Sequence, residues 1–274
     1  MTGNVLVETR DGVSRITLNR PEKRNPISDP AVVDELVAAL RALNQDAGVR
    51  AVVLTGAGTA FSAGGDIYAM ADSLKERRAD PIRTTGDYRF GIQRIPQAME
   101  QLAVPIIAAV NGPAVGAGCD LACMCDIRLA ADNARFAESF VKLGLIPGDG
   151  GAWYLQRIVG YSKACELTFT GDTIDAPTAL SIGLVSAVYS GQELLDRAED
   201  LARRIAHNPP DAVRMAKRLI RFARHGSLAD TLELSANAQA LAHTSAGHRD
   251  ALAASIAKLK APRALAPRRR ITSR

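Results

Sequence analysis

The chain has 274 residues, of which 47% are hydrophobic and 23% charged but only 4% aromatic, so it can bury a large aliphatic core as one domain or a domain with an appendage. Four cysteines are too few for a disulfide scaffold, and the most apolar run, Leu102 to Val110, is too short to cross a membrane and contains Pro105. The net charge of +5 raises polyanions as partners, but the last stretch, PRALAPRRRITSR, alone carries five arginines and reads as a basic tail; an anionic small-molecule substrate would be served by the same charge. With no apolar leader visible at the N-terminus, a cytoplasmic location is the default expectation.

VLVETRDGVSRITLN predicts a hairpin around the Asp11-Gly12 turn signal. After the RPEKRNPIS loop, Ser28 is expected to cap a helix whose Val32, Val33, Leu36, Val37, Leu40 and Leu43 fall on one face. AVVLTG then reads as a strand buried on both faces, running into the glycine-rich GAGTAFSAGGD. Tyr68 to Met99 reads as loop-rich. VPIIAAVNG is a second buried strand, followed by a small-residue loop and the helix-compatible GCDLACMC, and DIRLAADNARFA predicts one further short strand. Past about residue 190 the pattern is helical: Leu194, Leu195, Ala198, Leu201, Ala202 and Ile205 share a face, His225-Gly226 closes a later helix, and SLAD opens another as a capping box. The expectation is an α/β core over 1–205 with a largely parallel sheet, and a helical region over 206–274 that ends in the basic tail.

The loops exclude several chemistries. GAGTAF and GAGCDL lack the third glycine of a dinucleotide fingerprint, and no GK[ST] follows for a P-loop. Cys123-x-Cys125 has no second pair and no nearby histidine, so Cys119, Cys123 and Cys125 read as buried packing thiols and no metal is expected. There is no GxSxG, and His207, His225, His243 and His248 all lie in the helical tail. Two small-residue loops remain, each at the end of a buried strand. Loops of this kind let a ligand approach backbone N–H groups, which can stabilise a carbonyl oxygen as it becomes an enolate.

FSAGGDI at 61–67, NGPAVGAGCDLACMCDI at 111–127 and FVKLGLIPGDGG at 140–151 resemble the signature segments of the crotonase superfamily, the enoyl-CoA hydratase/isomerase family. The resemblance runs from the N-terminal hairpin to KLKAPR near the C-terminus. It implies a crotonase (ClpP-like) spiral of β-β-α turns with C-terminal helices used in trimerisation, often a hexamer built as a dimer of trimers. It also implies acyl-CoA thioester substrates and no cofactor beyond the CoA thioester itself. By position, Ala63 and Ala117 match the residues whose amides form the oxyanion hole. Ala63, Gly64, Gly65 and Asp66, with Ile67 after them, match the strip that contacts CoA. Arg24, like Lys23, Lys258 and Lys260, could reach the CoA phosphates or be a solvated surface charge.

The acids depart from the family pattern. Hydratases of the family carry two glutamates; Asp120 stands at the first position, one methylene shorter, and could equally be a first-turn aspartate favouring the helix dipole. The second position is Phe140, which cannot transfer a proton, leaving Glu138 and Asp149 as the nearby carboxylates. Some isomerase-like members place an aspartate directly after the proline of GLIP; here Gly148 occupies that place and Asp149 comes one residue later, where it could instead cap a helix opening at GGAWYL. Hydration of a 2-enoyl-CoA is the expected activity and double-bond isomerisation the alternative. From another class comes a non-turnover acyl-CoA or RNA-binding protein, which only the arginine tail supports, without the interleaved aromatics that stack bases.

Overall fold

A computed structural model describes residues 3–260. The chain divides into a unit that ends at Asn208 and a second that begins at Pro209, just beyond the expected boundary at 205. The expected basic tail at 263–274 lies outside the described residues.

In the first unit β1 (Val5–Arg10) and β2 (Val13–Leu18) form the expected antiparallel hairpin. Asp11 and Gly12 both take positive φ, 51° and 78°, the requirement of a turn whose twist matches its strands. Helix α1 (Pro30–Gln45) buries Val32, Val33, Leu36, Val37, Leu40 and Leu43, but its cap is Asp29, which accepts from Ala31 N at 3.0 Å. Ser28 is drawn off to accept from Asp66 N at 3.1 Å, tying this loop to the glycine-rich one. After β3 (Ala51–Gly56) the segment expected to be loop-rich contains three helices: α2 (Ile67–Ala79), α3 (Pro81–Phe90) and α4 (Arg94–Gln101). Neither α2 nor α3 buries a residue, so neither writes an apolar stripe into the sequence.

Next come β4 (Ile106–Val110), the short β5 (Ala114–Val115), α5 (Ala117–Met124), β6 (Ile127–Ala131) and β7 (Arg135–Ala137). The single strand expected at DIRLAADNARFA is therefore two strands, broken at Asp132–Ala134 and belonging to different sheets. Helices α6 (Gly151–Val159) and α7 (Tyr161–Thr170), strand β8 (Thr173–Asp175), helix α8 (Ala176–Ser181), strand β9 (Ala187–Tyr189) and helix α9 (Leu194–Ala206) complete the unit. The larger sheet runs β1-β2-β3-β4-β6-β9, parallel from β2 onward, and β5-β7-β8 form a second, smaller sheet. Alternate residues of one strand serve opposite cores: Val52, Leu54, Ile106 and Ala108 face the side holding α1 and α4, while Val53, Ile107, Ala109 and Leu129 face Ala198 and Ala202 of α9. That double burial is why β3 and β4 read as unbroken apolar runs.

The second unit consists of α10 (Pro210–Ala223), α11 (Leu228–Thr244) and α12 (Ala246–Lys260). Ser227 Oγ accepts from Asp230 N at 3.1 Å, the expected cap of α11. Many of its large apolar side chains remain in the open, among them Ile220, Leu228, Leu241 and Leu259.

Candidate active site

Both glycine-rich loops leave the same end of the larger sheet, one after β3 and one after its parallel neighbour β4. They are laced together by backbone hydrogen bonds: Phe61 N and Ser62 N donate to Pro113 O, and Val115 N donates to Ser62 O at 3.0 Å. At Gly64, φ is +80°, and an added Cβ would run into Val115 O and stand 2.9 Å from Ala117 N. Only glycine meets both demands. Gly64 therefore brings its loop onto the start of α5, where no side chain caps the helix.

The expected pair of donors is half corrected. Ala63 N donates to Arg24 O at 2.8 Å, so its amide is spent inside the protein. In the same loop Gly64 N donates to Ser62 Oγ. Gly65 N and Ala117 N donate to no partner among the described residues. Gly65 and Ala117 are thus the candidate amides for an oxyanion, whereas that of Ala63 is engaged. Its spacing was readable; which amide of the loop stays free depends on Arg24, far away in sequence. Arg24 itself holds a left-handed conformation with its side chain exposed. Asp66 caps α2 by accepting from Tyr68 N and Ala69 N and pairs with Lys23 at 3.1 Å; the Ala69 bond, followed by the Lys23 contact, holds its carboxyl below the usual range. Ile67 opens α2 and is exposed.

Behind Ala117 the three candidate acids come together. Asp120 lies in the first turn of α5, Glu138 follows β7, and Asp149 precedes Gly150, the residue before α6; all three are buried. Asp149 is not the cap of α6, whose first residues receive no side-chain hydrogen bond. Room for Asp120 is made by Gly151: a Cβ there would collide with Oδ1 and stand 2.7 Å from Oδ2. Both oxygens of Asp120, both of Glu138 and Oδ1 of Asp149 receive no donor among the described residues. The hydrogen bonds open to them are to one another and, for Glu138, to the Cys119 thiol, and each carboxyl–carboxyl bond needs a proton on one partner.

The electrostatics follow. Burial, followed by the charges of Glu138 and Asp149, pushes Asp120 well above the carboxylate range. Burial raises Glu138 to about 7 and also raises Asp149. Three dry carboxyls in contact cannot all ionise, so near neutrality the cluster holds at least one proton and at least one hydrogen-bonded carboxyl pair. Such a pair offers an acid and a base side by side. Cys119, hydrogen-bonded with Cys123 and buried, is pushed well above its ordinary value and stays a thiol, which removes it as a nucleophile. Phe140 supplies no proton; its ring packs on Gly116, where an added Cβ would stand 3.6 Å from Cζ. Among the described residues no group of three or more His, Cys, Asp or Glu is arranged to hold a metal ion.

An α/β fold whose paired small-residue loops are backed by buried acids marks an enzyme of the crotonase type. The sequence profile of the enoyl-CoA hydratase/isomerase family matches residues 8–261, and the chain belongs to that family. It is 36% identical to the short-chain-enoyl-CoA hydratase of Clostridium acetobutylicum, over 94% of this chain and 96% of the relative. It is also 36% identical to the 1,2-epoxyphenylacetyl-CoA isomerase of Escherichia coli, over 93% of this chain and 95% of the relative. The crystal structure of an enoyl-CoA hydratase from Bacillus anthracis superposes with a TM-score of 0.83 at 35% identity, covering 93% of this chain and 96% of that one.

Proposed function

We propose that the protein hydrates a 2-enoyl-CoA, with the Gly65 and Ala117 amides holding the thioester oxygen as it becomes an enolate and the Asp120–Glu138–Asp149 cluster moving the protons. The observation that carries this reading is the cluster itself: hydration needs a base for the attacking water and an acid for the α-carbon, and a proton-sharing carboxyl group provides both where Phe140 replaces the family's second acid. Asp120 is the member on the same helix as the Ala117 amide, one turn on, and is taken as the group that meets the substrate. The strip from Ala63 to Ile67 is the proposed CoA contact; exposed Lys23, paired with Asp66, and exposed Arg24, whose carbonyl accepts from Ala63 N, are the proposed cations for its phosphates. No group beyond the thioester itself is required.

Isomerisation of a 3-enoyl-CoA is the second reading, favoured by the likeness to the Escherichia coli isomerase, since a cluster sharing one proton can take it from one carbon and return it to another. Incubation with crotonyl-CoA and, separately, with a 3-enoyl-CoA tests both. Loss of the conjugated absorbance in the first supports hydration; its appearance in the second with an inert first supports isomerisation; two inert substrates overturn the proposal. Assembly as a homotrimer or homohexamer is proposed from the open apolar side chains of α10–α12.

A further inference from the structure

The loop that carries Asp149 has few bonds of its own. Oδ1 of Asp149 receives no donor among the described residues, and no side chain caps α6 behind it. Its position therefore depends on what holds the backbone on either side, and both holds come from α4. Gln93 stands at the N-cap position of α4, yet its side chain does not cap that helix. Nε2 of Gln93 instead donates to Gly148 O at 2.7 Å, from 55 positions away in sequence. At the other end of α4, Glu100 Oε1 accepts from Tyr154 Oη at 2.8 Å. The Tyr154 ring lies against Gly150, where an added Cβ would stand 3.3 Å from Cε2. Helix α4 thus braces the residue before Asp149 and the residue after it. It is a firm support, because Ile95, Ala98 and Met99 anchor it in the same core as the buried face of α1. One residue beyond Gly150, Gly151 lies directly against the Asp120 carboxyl.

Resting on the hydratase reading above, we propose that Gln93 is a positioning residue for the reaction: its bond to the Gly148 carbonyl fixes the loop 148–151, and with it Asp149, beside Asp120. Three of the four residues in that loop are glycines, which leave the backbone the most freedom to lose, so the loop needs stiffness from outside. Gln93 supplies it without taking part in proton transfer, since an amide donates its hydrogen bond without titrating. The same residue also ties in α3: Gln93 N donates to Tyr88 O at 3.1 Å, and the Tyr88 ring covers Gly148, where an added Cβ would stand 3.2 Å from Cε1. Main chain and side chain of one residue thereby join α3, α4 and the acid loop.

The test pairs Gln93→Met, which keeps the length of the side chain and removes the donor, with Gln93→Glu, which keeps its shape and, ionised at about pH 8, offers no donor either. For crotonyl-CoA hydration at that pH, both should lower kcat about 10–10²-fold with KM little changed. Full kcat in either variant overturns the proposal, including when KM rises, since that marks a binding contact. Amide hydrogen exchange separates the brace from the functional reading, because it needs no turnover. Residues 148–154 should exchange faster in Gln93→Met than in the wild type, with β3 and β4 unchanged. Faster exchange there beside a wild type inert toward crotonyl-CoA strikes the hydratase reading and supports the brace. Equal exchange in that segment overturns the brace whatever the turnover. So does faster exchange throughout the chain, which is a general loss of stability.

Discussion

At the scale of single residues, the site depends on carboxyls held where water cannot solvate their charge, and this has a stability signature. The folded state raises Glu138 from its ordinary 4.5 to about 7. A raised carboxyl stabilises the fold below its unfolded value and loses that contribution as pH rises through the folded one. The unfolding free energy is therefore expected to fall between about 4.5 and about 7, by on the order of 3 kcal/mol from this group. Glu138→Gln removes the cost of the buried charge, so denaturant titrations at about pH 8 should find the variant more stable than the wild type, while at about pH 4 the two should be close. A variant less stable than the wild type at about pH 8 would mean that Glu138 is held by bonds made to its charged form. Asp120→Asn is expected to cost catalysis instead: about 10²–10⁴-fold in kcat with acyl-CoA affinity retained, read by steady-state kinetics beside binding calorimetry.

Elements place those residues, and they differ in how plainly the sequence announces them. β3, β4 and α1 are legible because burial writes a continuous or 3.6-residue apolar pattern. α2 and α3 are not, because they bury nothing. The break between β6 and β7 is hidden because Ala131 and Ala134 are both buried on either side of a two-residue turn. The site was legible in part. GAGCD displays an uncapped helix start and an acid one turn on, but the convergence of Asp120, Glu138 and Asp149 depends on three separate elements meeting, and the choice of Gly65 over Ala63 depends on the carbonyl of Arg24. Gly64 and Gly151 are where this convergence is most exposed to mutation. Gly64→Ala must hold a left-handed conformation and push back Val115 O, both backbone constraints, and should cost about 1–3 kcal/mol in chemical denaturation together with a fall in turnover. Gly151→Ala meets a side chain instead, the carboxyl of Asp120, so it should lower kcat more than it lowers stability. If Gly151→Ala kept full turnover, the position of Asp120 would not matter to the reaction.

For the whole molecule, the two units use their apolar residues differently. The first buries them on both faces of one sheet. The second leaves Ile220, Leu228, Leu241 and Leu259 in the open, Leu259 at 86% exposure, and contiguous apolar surface of this kind marks contact with a partner. The proposed trimer or hexamer covers it. Light scattering at micromolar concentration should return a mass of three or six chains, and a monomer would contradict the assembly. No helix among the described residues is long and apolar enough to cross a membrane.

The proposed chemistry is proton movement at the α-carbon of an acyl-CoA thioester by a proton-sharing carboxyl cluster behind the Gly65 and Ala117 amides. Incorporation of solvent deuterium tests it, because both reactions move a proton at that carbon: hydration adds one at C2, and isomerisation removes one from C2 and returns it at C4. In D2O the wild type should place deuterium at the α-carbon of the hydrated product of crotonyl-CoA, or at C4 of the product of a 3-enoyl-CoA, and Asp120→Asn should place it there at least about 10²-fold more slowly while still binding the thioester. Equal incorporation by the two proteins would contradict the account.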